Sequence, residues 1–152
     1  MRVAVIKDVN NAKIKEEEYK FKRDIELVSH VDLERLPITY HFDYGVIRYG
    51  NEVEAWIELK NRSFTSYQYP DSLINLSKWM KGLELYESTG IPSILGVRYT
   101  DIDLYYTFDK QDLVKGHIKV KWGARTKKTR DWQDIGPAVH IPISLFTDEL
   151  DV

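Results

Sequence analysis

The 152-residue sequence contains no cysteine. Disulfides, thiolate metal sites and thiol nucleophiles are therefore excluded. No window holds 18 apolar residues, so no helix is expected to span a bilayer. The opening MRVAVIKDVNN is too short and too soon charged for a secretory signal, and a soluble, cytoplasmic protein is expected. A large charge excess is also missing. The formal net charge is −2, so attraction to a polyanion must come from a local patch. There is no phosphate-cradling glycine loop, no dinucleotide fingerprint and no G-x-S-x-G elbow. His30, His41, His117 and His140 lack ligand spacing such as H-x₃-H. Neither repeats nor a low-complexity linker divides the chain, and its length points to one domain over residues 1–152.

What is present suits a globular fold. Hydrophobic residues make up 43% and charged residues 30%, enough for a core and outside the range of disordered chains. Residues 2–7 read as a short strand. Residues 11–28 read as a helix, with Asp8, Asn10 or Asn11 as caps. Residues 40–49 and 52–60 read as paired strands around Gly50-Asn51. In residues 71–89, Leu73, Leu76, Met80 and Leu83 recur with helical period, and Gly90 and Pro92 supply a stop. That period places Lys78 on the surface. Residues 93–99 and 104–108 read as buried strands, residues 117–122 as a further strand, and residues 136–142 as an extended tail. Gly96, isolated in ILGVRY, implies a close backbone approach. The order α-β-β-α-β-β predicts an α/β fold, a mixed sheet flanked by helices.

The hairpin is the informative part. A two-residue loop at Gly50-Asn51 pairs Tyr49 with Glu52. Phe42 then faces Leu59, Tyr44 faces Ile57 and Val46 faces Ala55, an apolar face. On the other face Gly45 meets Trp56, Asp43 meets Glu58 and His41 meets Lys60. Opposed Cβ atoms lie roughly 4.5–5.5 Å apart, and like charges so placed repel. A divalent cation would reverse the sign, and carboxylate oxygens suit Mg²⁺. A one-residue slip would send Asp43 to the opposite face. A solvated strand face would also carry Glu52, Glu54, Glu58 and Lys60, but Trp56 sits in its middle.

Asp43 followed by Glu58-Leu59-Lys60 resembles the PD-(D/E)XK signature of the restriction-endonuclease-like nucleases. An upstream helix, a hairpin and a following helix surround it, as in small phage-encoded members and Holliday-junction resolvases. Phe42 stands where the signature's name has proline. The resemblance, over residues 11–108, implies a restriction-endonuclease-like core and metal-dependent hydrolysis of a phosphodiester. It implies Asp43 and Glu58 as metal ligands with the Leu59 carbonyl, and Lys60 as the group that orients water or stabilises developing charge. Mg²⁺ is the implied cofactor, with Mn²⁺ able to substitute. Related proteins often add an acid from the first helix. Among Glu16, Glu17 and Glu18, only Glu18 lies inside the stripe of Ile14, Phe21 and Ile25, so Glu18 is the choice. The same glutamates also suit a first-turn decoration favoured by the helix dipole.

Residues 115–130, KGHIKVKWGARTKKTR, hold seven cations and no acid. Lys119, Lys121, Arg125, Lys127, Lys128 and Arg130, with Arg62, are candidate phosphate contacts. Trp122 could stack on a base. A solvated hairpin with a basic loop explains the same strip. Ser66, Tyr67 and Gln68 are further candidates beside the site. The expectation is a Mg²⁺-dependent deoxyribonuclease, an endonuclease rather than an exonuclease. DNA is the expected partner, RNA stays open, and a homodimer is expected where both strands are cut. The alternatives are a non-catalytic nucleic-acid-binding module and a phage accessory protein on the same fold.

Overall fold

The structure is a computed structural model describing residues 2–122 and 136–152, with residues 2–14 described as backbone alone. It begins with one long helix, α1 (Arg2–Ser29). Residues 2–7 are therefore helical, not a strand, and Asp8, Asn10 and Asn11 lie inside the helix rather than capping it. Alternating Val and Ile suggested a strand. Yet each residue added to an existing helix gains a hydrogen bond, whereas no described strand pairs with this segment. Phe21 and Ile25 of α1 are buried against the sheet. Arg98 fastens this packing. Its guanidinium lies 4.6 Å from the Phe21 ring centroid and donates to Asp24 and, through two nitrogens, to Asp103, each at 2.8 Å.

The main sheet has five strands in the order β1-β2-β3-β5-β6. They are β1 (Asp32–Arg35), β2 (Tyr44–Ile47), β3 (Val53–Asn61), β5 (Ser93–Arg98) and β6 (Asp103–Thr107). β3 and β5 run parallel and the other neighbours antiparallel, so the sheet is mixed. β1 is absent from the sequence reading because it is short and charged. It buries Leu33 alone, as suits an edge. Gly96 does mark a close approach: a Cβ there would sit 3.0 Å from Leu59 Cδ2.

β4 (Asp71–Asn75) and α2 (Leu76–Thr89) replace the single helix expected over residues 71–89. The Asn75 side chain accepts from the Ser77 N–H at 2.8 Å, so the helix starts there. The preceding residues alternate instead, burying Ser72 and Ile74. They pair with β8 (Pro137–Pro142), which pairs with β7 (Lys119–Trp122) to complete a second, three-stranded sheet. The buried face of α2 also differs from expectation. Met80 is 59% exposed, whereas Trp79 is 1% exposed and stacks on Phe108. Gly82 permits this, because a Cβ there would overlap the Phe108 ring. A short helix, α3 (Lys110–Val114), joins β6 to β7.

Two cores result. One, between α1 and the main sheet, holds Tyr44, Val46, Ala55, Ile57 and Leu59. The other packs α2 and the small sheet against the opposite face, and includes Trp56, Trp79 and Phe108. Among the described residues no helix is long and apolar enough to cross a membrane.

Candidate active site

Over Tyr44–Val46 the hairpin register is the one the sequence implies, reached by a different turn. The expected pairs of Tyr49 with Glu52, Phe42 with Leu59, Asp43 with Glu58 and His41 with Lys60 are not part of the ladder. Tyr44 pairs with Ile57, Gly45 with Trp56 and Val46 with Ala55. The register then shifts at Ile47, which pairs with Val53, and residues 48–52 form the connection. The loop is five residues rather than two, and the irregularity absorbs the difference.

β2 starts at Tyr44, so Asp43 lies just outside the ladder. The cause is local. Residues 38–40 form a 3₁₀ turn, and His41 follows with φ of 53°, an uncommon conformation for a side-chain-bearing residue. This turn also sends Phe42 into the α2-side core, away from the expected partner face of Leu59. Beyond Tyr44, β3 has no strand neighbour on this side among the described residues. The Leu59 N–H donates instead to Asp43 Oδ2 at 2.9 Å. The carboxylate is thus held by the main chain of the residue between Glu58 and Lys60.

Glu58 lies on the opposite face of β3 from Leu59, under α2. It is 2% exposed. Its Oε2 is 3.4 Å from Lys60 Nζ and 3.5 Å from Lys78 Nζ. Its Oε1 is buried with no hydrogen-bond partner. Burial, then repulsion from Asp43, pushes the Glu58 carboxyl up from 4.5 to about 7, against the pull of Lys60 and Lys78. Asp43 is therefore close enough to be felt. Both ammonium groups approach Oε2, so the buried Oε1, beside a second carboxylate, still lacks a donor or cation. That chemistry fits a divalent cation held by hard oxygen ligands. Among the described residues no three Asp, Glu or His side chains converge, so two carboxylates and main-chain oxygen are the protein ligands on offer.

Lys78 is the residue that sequence reasoning placed wrongly. It is in the first turn of α2 and donates to the His41 carbonyl at 2.7 Å, as well as approaching Glu58. Periodicity anchored on the face of Leu76 put it outside. Periodicity anchored on Gly82, four residues on, would have put it inside. A cation at a helix N-terminus works against the macrodipole, so helix stability does not explain it.

The other candidates scatter. Glu18 pairs with Arg35 at 2.8 Å on the α1 side, and is not among the charges acting on Glu58. The His41 side chain is exposed, and the residue serves the site through its carbonyl. Ser66 is pinned to Asp101 by two hydrogen bonds of 2.7 Å. Arg62 donates to the Leu73 carbonyl at 3.0 Å. Lys119 and Lys121 are exposed on β7, next to Trp122. Arg125, Lys127, Lys128 and Arg130 lie outside the described residues.

The structure is similar to that of Hjc, a Holliday junction resolvase from the archaeal hyperthermophile Archaeoglobus fulgidus. The TM-score is 0.51 at 12% identity, over 84% of each chain. This likeness establishes the restriction-endonuclease-like fold. Comparison with curated proteins finds no match. A model of the family described as "Phage putative PDDEXK endonuclease" matches residues 8–149, nearly the whole chain. With the fold and the Asp43, Glu58-Leu59-Lys60 arrangement in place, the chain belongs to this phage PDDEXK endonuclease family.

Proposed function

We propose that the protein is a divalent-metal-dependent DNA endonuclease whose site is Asp43, Glu58, Leu59, Lys60 and Lys78. The observation that carries this reading is the buried, partnerless Oε1 of Glu58 beside Asp43 and two ammonium groups. Asp43 and Glu58 would hold the cation. The Leu59 carbonyl would join them, because the N–H and C=O of one strand residue point to the same side, and its N–H points at Asp43. When bound, Mg²⁺, with Mn²⁺ as a substitute, polarises a phosphoryl oxygen and makes water a better nucleophile near neutral pH.

The chain's own groups do the rest. The Leu59 N–H fixes the Asp43 carboxylate. Lys60 Nζ, free to turn from Glu58 toward substrate, orients the attacking water and faces the charge that grows on the phosphoryl oxygens. Lys78, held by the His41 carbonyl, pulls the Glu58 carboxyl toward its ionised form, against burial and Asp43. Water adds to phosphorus as the bond to the leaving oxygen breaks. The water gives up a proton and the leaving oxygen gains one.

The test is cleavage of a panel of linear, nicked, branched and single-stranded DNA with Mg²⁺. Glu58→Ala and Lys60→Ala should each lose about a hundredfold or more in rate. Wild-type rates in both variants would end this assignment. With one site per chain, cutting both strands calls for a dimer, which sedimentation on DNA would detect. Exposed Lys119, Lys121 and Trp122 favour a second reading, a non-catalytic DNA-binding module. That reading requires metal-independent binding with no cleavage of any substrate in the panel.

A further inference from the structure

Past Lys60, β3 leads into a second polar site. The Arg62 N–H donates to the Arg98 carbonyl at 2.8 Å, so the extended path continues. Strand alternation puts Arg62 on the face of Glu58 and Lys60, about 7 Å beyond Lys60. There a cleft of about 830 Å³ opens between the end of the main sheet and the small sheet. Sites for small organic ligands span about 300–1,000 Å³.

The lining is aromatic with a polar edge. Phe64 meets Tyr69 edge-on with centroids 5.1 Å apart and lies 6.0 Å from Tyr99. Tyr69 is half exposed. Across the cleft, His140 Nδ1 is 3.8 Å from Asp71 Oδ2, while His140 Nε2 is buried without a partner. Ser72 also lines the cleft, but its partnerless Oγ is buried on the opposite face of β4, with Ile74 and Ile141. Arg62 also lines the cleft and brings a positive charge to the end nearer Lys60, while Asp71 repels a phosphate from the small-sheet side. An aromatic wall, one cation and hydrogen-bonding groups fit a heteroaromatic ring that carries a phosphate. Two further cations flank the cleft. Lys119 pairs with His140 and Lys121 with Ala138, so both lysines share the His140 face of the small sheet.

We propose that this cleft takes one unstacked nucleobase of the DNA, from the nucleotide next to the cleaved phosphate. The enzyme thereby favours DNA with an unpaired nucleotide over an uninterrupted duplex. The inference rests on the nuclease reading for the position of the cut, but base capture itself is a binding event. The base stacks on Tyr69, its edge meets the His140–Asp71 pair, and the neighbouring phosphates meet Arg62 on one side and Lys121 on the other.

The test uses the full chain in chelator, so that nothing is cut. The probes are a duplex oligodeoxynucleotide carrying one unpaired 2-aminopurine, the same duplex with an abasic residue there, and the fully paired duplex. Anisotropy should show about tenfold tighter binding to the unpaired base than to either control, with a change in 2-aminopurine fluorescence. Tyr69→Ala should remove the preference and Tyr69→Phe should keep it. Equal affinity for the three probes, or a preference that survives Tyr69→Ala, overturns the proposal. Duplex cleavage without any base preference would leave the nuclease reading standing and sink the cleft. A preference shown by a protein that cuts nothing would do the reverse.

Discussion

A carboxyl group that is 2% exposed and faces another carboxylate is costly to ionise. The cost of ionising Glu58 gives a pH signature. Its carboxyl rises from 4.5 to about 7 on folding, through burial first and Asp43 second. Such a group supports the fold most below pH 4.5, and that support is lost as pH rises through 7. At about 1.4 kcal/mol per unit, the metal-free protein should lose on the order of 3 kcal/mol between pH 5 and 8. Urea unfolding in chelator measures this. Glu58→Gln should flatten the trend, and a divalent cation should restore stability at pH 8. Asp43→Asn gives a second residue-scale prediction of opposite signs. It keeps an acceptor for the Leu59 N–H but removes the repulsion. Cleavage should collapse, while metal-free stability at pH 8 should rise by a few tenths to about 1 kcal/mol. A fall in stability would mean that Asp43 is structural.

At the scale of elements, the hairpin was legible because side-chain alternation admits two faces only. A one-residue error would have sent Val46, Ala55 and Ile57 to the α2 side and Trp56 and Glu58 to the α1 side, so the packing of both faces holds the register whatever the loop. The loop itself was misread, since a bulge at Ile47 leaves no mark in the sequence. Residues 71–75 were illegible for another reason. The segment DSLIN is too short to distinguish period 2 from period 3.6, and its partner β8 is more than sixty residues away. α2 was found but turned, because Leu and Met outweighed a glycine in the periodicity. Gly82→Ala tests the observed face. Overpacking against Phe108 should destabilise the protein by about 1–3 kcal/mol and reduce activity with it, because Lys78 and Gly82 share one side of the helix. An unchanged melting temperature would contradict the packing.

For the molecule as a whole, a net charge of −2 leaves DNA affinity to local cations. Lys119→Ala and Lys121→Ala should each weaken binding to all sequences alike. Each should also reduce the slope of log affinity against log salt by about one. An unchanged slope would remove the small sheet from the interface. Lys60→Ala should behave differently, losing rate with little change in that slope.

The order of residues by itself determined the register of Tyr44–Val46, the grouping of Asp43 with Glu58, Leu59 and Lys60, and the class of fold, because strand alternation is local. Only the tertiary structure decided that Lys78 approaches Glu58, that Glu18 goes to Arg35, and that a second sheet forms a cleft beyond Lys60. Those outcomes depend on which face of a helix is buried and which distant strands pair. Both are set by packing between elements, where one glycine under a phenylalanine ring outweighs the pattern of leucines along the chain.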